Sequence, residues 1–359
     1  MIDLDANATE PLRPCAREAA IAAMDLAGNP SSIHSSGRQA RRTLEAARVQ
    51  IAALLGGEAD GLVFTSGGTE ANALAIAGLG HGRRVLCGAT EHAAVLESAP
   101  DAARIPVDRA GAIDLGALDA MLASGGPALV CIMLANNETG VIAPIAEVSR
   151  LCRHHGAHWH VDAVQAAGRM PVNLEKLGAD SLAVSGHKVG GPKGAGALLL
   201  ARGRDIAGPL IAGGGQERGR RGGTPALPAI AGFAAALQEA ASSTPAQASL
   251  RDAAEAAAVA AGAIVCGAGP RLPQTTCLAL PGVRADGQVI ALDLAGIAVS
   301  AGAACSSGKV ARSHVLDAMG LDATCAIRVS LPWNVQAAHI TAFASAYASM
   351  AARMRRHAA

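Results

Sequence analysis

The chain has 359 residues, enough for a well-buried core shared between two packed units. Hydrophobic residues make up 51% and charged residues 16%, which excludes a disordered or surface-solvating protein, and a formal charge of +1 gives no reason to expect nucleic acid or another polyanion as partner. The opening MIDLDANATE carries acids where a secretory signal has bases and then an apolar stretch, and Gly, Arg, Asp or Glu breaks every apolar run short of the roughly 20 residues that span a membrane. A cytoplasmic protein without membrane insertion is the expectation.

In chain order, residues 38–55 place Leu44, Ala47, Ile51, Leu54 and Leu55 at helical spacing. GLVFTSGGTEANALAIAGL follows, an apolar strand that turns through glycines into a second helix. Short apolar runs then recur at 83–89, 128–135, 158–164, 181–187 and 196–202, most of them separated by helix-compatible stretches. Continuous apolar strands alternating with helices predict an α/β fold with a mostly parallel sheet covered on both faces, and place the site beyond the strand C-termini. After about residue 240 the texture changes to a Ser/Thr/Pro spacer, an Ala-rich helix and shorter strands near 275–280, 297–300 and 326–331, which predicts a second, smaller domain.

Lysine is rare: only Lys176, Lys188, Lys193 and Lys309 occur. Lys188 follows an apolar strand in SLAVSGHK, where a partly desolvated amine can form an imine with an aldehyde, the usual way proteins hold pyridoxal phosphate (PLP); an exposed loop lysine is the plain alternative. Asp162 in HVDAVQ is an acid in an apolar context that needs a cationic partner, either a protonated pyridine nitrogen or an arginine. The turn TSGGTEAN offers backbone N–H groups at a helix start to a phosphate, although such a glycine turn is often only a turn. ANNETG supplies amides and an acid at another strand end, for orienting a substrate or for building a turn, and His92 lies just beyond a strand where an imidazole could stack on an aromatic ring. The eight cysteines include no C-x-x-C pair. Cys305 alone sits in a small-residue loop near Lys309 and Arg312, a setting for a reactive thiolate or for an idle surface thiol. HHGAHWH (154–160) could place His158 and His160 on one side of a strand as a metal site, but reads better as a helix end and strand entrance, so no metal is expected.

Read together, LDANAT (4–9), GNPSSIHSSGRQAR (28–41), FTSGGTEAN (64–72), TEHAAVL (90–96), ANNETGVIAPI (135–145), HVDAVQAAG (160–168), SGHKVGGPKGAGAL (185–198), GGGQERGRRGGT (213–224), GIAVSAGAACSSG (296–308), SHVL (313–316) and IRVSL (327–331) resemble the group I, NifS/IscS-type cysteine desulfurases nearly end to end. The resemblance implies PLP-dependent transferase fold type I: a large domain at 13–245 with a mostly parallel seven-stranded sheet between helices, and a smaller α+β domain from 1–12 and 246–359 that carries the cysteine loop. It implies that Lys188 holds the cofactor covalently, Asp162 pairs with the pyridine nitrogen, His92 stacks on the ring, and Asn137 and Gln165 face its phenolic oxygen. Phosphate contacts are implied for Gly68, Thr69, Ser185 and His187, with Thr224 reaching over from the second subunit of a homodimer. Arg328, Asn137, Asn7 and His34 are implied to face the substrate, L-cysteine, and Cys305 to accept its sulfur as a persulfide, releasing alanine. The sulfur then passes to an acceptor protein such as an iron–sulfur scaffold or a tRNA-thiolation protein.

The chain departs from the family pattern in three places. The usual tyrosine two residues after the lysine is Gly190, RSGT reads RGGT at 221–224, and the segment after the arginine is LPWN at 331–334. A selenocysteine lyase or another enzyme of the same fold would share Lys188 and Asp162, and Cys305 with its loop favours desulfuration over these. A non-catalytic sulfur relay or scaffold would keep the fold without turnover, and the intact Lys188, Asp162, Arg328 and Cys305 speak against it.

Overall fold

A computed structural model of the chain describes residues 1–242, 247–302 and 312–358, the last three of these by backbone alone. Strand β1 (Ile2–Asp3) opens the chain and stands apart from the main sheet. That sheet is built from β2 (Leu62–Thr65), β3 (Arg84–Gly88), β4 (Ala103–Ile105), β5 (Ala128–Met133), β6 (His158–Asp162), β7 (Ser181–Ser185) and β8 (Gly196–Leu200), in the order β2-β8-β7-β6-β5-β3-β4. Strands β5, β7 and β8 are buried along their whole length, which is why they read as unbroken apolar runs rather than as alternation.

Strands β4, β3, β5, β6 and β7 are mutually parallel, as predicted for most of the sheet, whereas β8 is antiparallel to both β7 and β2. The link 186–195 holds a single 3-10 turn and is too short for the crossover helix that a parallel return requires. The chain therefore doubles back at once, and Lys188 sits in that turn.

Alternation along β8 shows the two covered faces. Ala197 and Leu199 join one core, with helices Pro14–Met24, Ser35–Leu54 and Leu227–Ser242, while Leu198 and Leu200 join the other, with helix Gly68–Leu79. Helix Ser35–Leu54 buries Leu44, Ala47 and Ile51 on the stripe that the sequence spacing predicts.

The C-terminal part forms β9 (Ile264–Cys266), β10 (Thr275–Ala279), β11 (Ile297–Ala298), β12 (Ser300–Ala301) and β13 (Ala326–Ser330). Four of these make an antiparallel sheet in the order β12-β13-β10-β9, and β11 pairs in parallel with β1. Helices Gln247–Ala260, Ala285–Leu294 and Ala337–Ala358 accompany this sheet, whose core of Leu278, Ile327, Val329, Phe343 and Tyr347 is distinct from those of the large sheet. The N-terminal segment runs along β13: Ser330 N–H donates to Leu4 O at 2.8 Å, and Ala6 and Asn7 N–H donate to Ser330 O at 3.1 Å and Oγ at 2.9 Å. Asn7 is thereby held where the two sheets meet. Among the described residues no helix is long and apolar enough to cross a membrane.

Candidate active site

Parallel strands expose their C-terminal ends on one edge, and the segments that leave β3, β5, β6 and β7 converge there on a pocket of about 220 Å³. Its wall includes His92, Asn137, Asp162, Gln165, Ser185, His187 and Lys188, together with Gly68 and Thr69. Nine of the residues assigned to cofactor contact in the sequence thus share one cavity.

Lys188 Nζ donates to the carbonyls of Asn7 and, at 3.0 Å, Ala8. Opposite, Asp162 ends β6 with Oδ1 accepting Val164 N–H at 2.9 Å and Oδ2 accepting Asn72 Nδ2 at 2.7 Å. Burial raises the Asp162 carboxyl above its ordinary value, against the pull of the Val164 N–H, His92, Asn72 and Lys188. A carboxyl held this way is electrostatically unsatisfied and gains from any cation brought into the pocket. His92 caps the short helix Ala93–Leu96, its Nδ1 accepting Ala94 N–H at 3.1 Å, which fixes the ring at the pocket wall. Burial and then Lys188 push the His187 imidazole down to about 4, so it is neutral at pH 7, with Nδ1 3.1 Å from Thr9 Oγ1.

Helix Gly68–Leu79 points its first turn at the pocket, carrying the unpaired N–H groups and positive dipole end that suit a phosphate. The one acid in that turn, Glu70, is drawn aside by Arg221 at 2.8 Å and by Ser66 N–H at 2.7 Å, so it does not repel an incoming anion. A Cβ on Gly68 would stand 2.6 Å from Val164 Cγ2, so glycine is what lets the helix start approach the strand ends. In ANNETG the two amides divide the work. Asn136 builds the turn, its Oδ1 accepting Glu138 N–H at 2.9 Å and Thr139 N–H at 3.0 Å, while Asn137 turns its side chain to the pocket.

The aminotransferase class-V family model matches residues 2–343. A cysteine desulfurase of Cereibacter sphaeroides is 42% identical over 358 residues, spanning 94% of this chain and 92% of its own length. An IscS-like cysteine desulfurase of Mycobacterium tuberculosis is 38% identical over 386 residues, spanning 100% and 98%. In three dimensions, a NifS-like protein of Rickettsia africae superposes with a TM-score of 0.90 at 36% identity, covering 98% of this chain and 99% of that one. The chain belongs to the NifS/IscS-type group of the class-V aminotransferase family.

Members of this family are PLP enzymes, and the pocket fits the cofactor. Ser185 Oγ and Asn137 Oδ1 are buried polar atoms with no partner among the described residues, and both residues line the cavity. Such atoms cost stability unless a ligand completes them. A phosphate at the helix start would accept from the Ser185 hydroxyl, a ring hydroxyl would donate to Asn137 Oδ1, and a protonated ring nitrogen would satisfy Asp162.

Of the remaining predicted residues, Asn7 and Arg328 lie beside the pocket rather than in its wall. Asn7 is buried behind Lys188, its carbonyl also accepting Gln165 Nε2 at 3.0 Å and its Nδ2 donating to Asn137 O at 3.1 Å. Arg328 is buried beside it, Nη1 donating to Asn137 O at 3.2 Å and Nη2 paired with Asp5 at 2.7 Å. His34 is exposed and caps helix Ser35–Leu54, and Thr224 is also exposed; the structure of the single chain brings neither to the pocket. Cys305 and Lys309 lie outside the described residues. As for HHGAHWH, His155 pairs with Asp119 at 2.7 Å and His160 bonds Ser181 and Asn72, and among the described residues no group of three or more His, Cys, Asp or Glu could hold a metal ion.

Sequence reasoning passed over Asn72, Ala8, Met133 and Arg169. Arg169 is buried, pairs with Glu10 at 2.9 Å, and donates to Asn7 Oδ1 at 2.9 Å and to Gln165 Oε1, so it ties two residues of the site to one ion pair. An arginine one residue after the matched block HVDAVQAAG was the only signal for it.

Proposed function

We propose that the chain is a PLP-dependent cysteine desulfurase, which takes sulfur from L-cysteine, releases L-alanine and keeps the sulfur as a persulfide on Cys305. The observation that carries this reading is one cavity in which Lys188, Asp162 and His92 meet the start of helix Gly68–Leu79, beside orphaned polar atoms of Ser185 and Asn137. It is supported by relatives named as cysteine desulfurases that are similar over nearly the whole chain.

When bound, the cofactor supplies an electron sink for bonds at the substrate's α-carbon. The chain supplies the rest. Lys188 would hold the cofactor's aldehyde and supply an amine to move the substrate's α-proton. Asp162 would pair with the protonated ring nitrogen, and His92 would pack against the ring. Arg328 receives the substrate carboxylate, a role suited to its forked donors. The Cys305 thiolate attacks the substrate sulfur; an S–S bond forms, the substrate's carbon–sulfur bond breaks, and that carbon takes a proton to become the methyl group of alanine. Sulfur then moves to an acceptor protein of iron–sulfur cluster assembly or tRNA thiolation.

The functional unit in this reading is a homodimer. Thr224 and His34, exposed on one chain, would be offered to the pocket of the other. A sedimentation measurement giving a monomer would remove that element.

The decisive experiment adds PLP to the purified protein and supplies L-cysteine. Wild type is expected to turn yellow and to release sulfide and alanine in the presence of a thiol reductant. Lys188→Ala is expected to lose the visible band, and Cys305→Ala to keep it without releasing sulfide. A colourless wild type, or full sulfide release by Cys305→Ala, would overturn the reading.

A further inference from the structure

Behind the pocket, a line of hydrogen bonds ends on Asp162. Ser181 Oγ lies 2.7 Å from His160 Nδ1, His160 Nε2 lies 2.8 Å from Asn72 Oδ1, and Asn72 Nδ2 lies 2.7 Å from Asp162 Oδ2. The topology dictates this arrangement. Residues two apart on a strand share a face, which puts His160 and Asp162 on the same side of β6. Ser181 is the register partner of His160 on β7, and Asn72 comes from helix Gly68–Leu79, which packs on both strands. Ser181 and His160 are 0% exposed, Asn72 1% and Asp162 6%, so water cannot substitute freely for any link.

Donor and acceptor chemistry allows this line two polarities. An ionised carboxylate offers no proton, so Asn72 turns its NH₂ to Asp162 and its carbonyl to His160. The imidazole must then carry Nε2–H, and its bare Nδ1 accepts the Ser181 hydroxyl. A protonated carboxyl donating to Asn72 would reverse every link and end with Nδ1–H on the Ser181 oxygen. The Val164 N–H at 2.9 Å from Oδ1 is a fixed donor and favours the first polarity. Asp162 is faced by Glu91 and His92 from the segment after β3 and by Lys188 from the turn after β7, whereas burial alone acts on His160 and keeps it neutral.

We propose that Ser181, His160 and Asn72 are positioning residues that hold Asp162 as an anion facing the pocket, and that protonation of Asp162 reverses the whole line. This deepens the function proposed above, and rests on it only for the contact between the anion and the cofactor's ring nitrogen.

The test begins on the cofactor-free protein, with side-chain nitrogen and carboxyl-carbon NMR. At neutral pH His160 is expected to carry its proton on Nε2. Asn72→Leu, close in size, is expected to raise the titration midpoint of Asp162 by about one to two pH units, since a hydrogen bond to the ionised form is lost. Ser181→Ala is expected to raise it less and to leave the proton on Nε2, since Asn72 still turns its carbonyl to the imidazole. An Nδ1–H tautomer in wild type with Asp162 ionised, or an unmoved midpoint in Asn72→Leu, would overturn the proposal. If Asn72→Leu does not fold, an unmoved midpoint in Ser181→Ala overturns it equally. In the loaded protein, nitrogen NMR of isotope-labelled PLP is expected to show a smaller protonated fraction of ring nitrogen in Asn72→Leu, and an equal fraction counts against the proposal. A wild type that takes up no PLP defeats the function proposed above, yet leaves the cofactor-free measurements able to support or refute the relay.

Discussion

The guanidinium carbon of Arg13 lies 4.9 Å from the ring centroid of Trp333, and this contact joins two of the departures from the family pattern. Arg13 also donates Nε to Val189 O at 2.9 Å, and its backbone N–H to Gly190 O at 2.9 Å. Trp333 Nε1 in turn donates to Pro11 O at 2.9 Å. Gly190 has φ 86°, and a Cβ there would stand 2.7 Å from Arg13 Cγ. The space beside residue 190 is thus occupied by an arginine that the tryptophan of LPWN covers. Restoring the family residue with Gly190→Tyr is therefore expected to destabilise the fold by about 1–3 kcal/mol, from the left-handed backbone and the clash together. Adding Arg13→Ala should recover only the clash once the cost of Arg13→Ala alone, which loses the Val189, Glu239 and Trp333 contacts, is subtracted. Urea unfolding of wild type, the two single variants and the double variant measures both quantities, and a Gly190→Tyr variant as stable as wild type would show that Arg13 does not fill that space.

Arg328 is expected to act on substrate affinity more than on turnover. Its Nη2 is on Asp5 and its Nη1 on Asn137 O, while Nε is buried without a partner among the described residues. An incoming carboxylate can complete that donor set in a forked geometry that lysine cannot reproduce. Arg328→Lys should raise KM for cysteine by about tenfold or more, the loss of one charge-assisted hydrogen bond, and leave the visible band of the PLP-loaded protein in place. An unchanged KM would place the carboxylate elsewhere.

How much of this was legible in the sequence depends on how far apart the cooperating residues lie. Strands β2, β3 and β5 to β8 showed themselves because burial on both faces makes them largely continuous apolar runs, and Lys188 and Asp162 because each is a polar residue at the end of such a run. Strand β4, by contrast, has three residues, two of them exposed, and gave no such run. The antiparallel turn at β8 was implied by the short link 186–195 but needed the pairing to be read from it. β1 is two residues long and pairs with β11 across almost the whole chain, so no local pattern announces it. The line from Ser181 to Asp162 was hidden for the same reason, since it joins one helix to two strands and nothing local in HHGAHWH ties His160 to Ser181 or Asn72. The Arg13–Trp333 contact explains two departures that the sequence could only flag.

Glu138 is expected to govern the segment that carries Cys305. Ser313 Oγ donates to Glu138 Oε2 at 2.6 Å, and a Cβ on Gly302 would stand 2.4 Å from the same oxygen. One buried carboxylate therefore meets both flanks of the segment 303–311. Ser313→Ala removes a charge-assisted hydrogen bond, and Gly302→Ala intrudes on the acceptor. Each variant should keep the PLP band and lower sulfide release by about tenfold, the equivalent of losing one such bond. Sulfide release at the wild-type rate in both would mean that these flanks do not position the cysteine.

Glu91 provides a test of stability against pH. It is 1% exposed; Oε1 accepts the Met133 N–H and Oε2 has no partner among the described residues. Burial pushes this carboxyl well above its ordinary value, with the Asp162 charge adding to the effect, so the folded protein holds a proton that the unfolded chain gives up near its ordinary carboxylate pKa. A raised folded pKa stabilises fully below the unfolded value, and that stabilisation is lost as pH rises from there to the folded pKa. Glu91→Gln keeps the shape and the acceptor for Met133 without a proton to lose. The two proteins should be about equally stable at pH 4, and the variant should gain on wild type by up to about 1.4 kcal/mol per pH unit above the unfolded pKa until the folded pKa is reached. Urea midpoints measured across that range, without cofactor, decide the matter. A difference that stays constant with pH would mean that Glu91 is ionised in the folded protein, and that its second oxygen has found a donor.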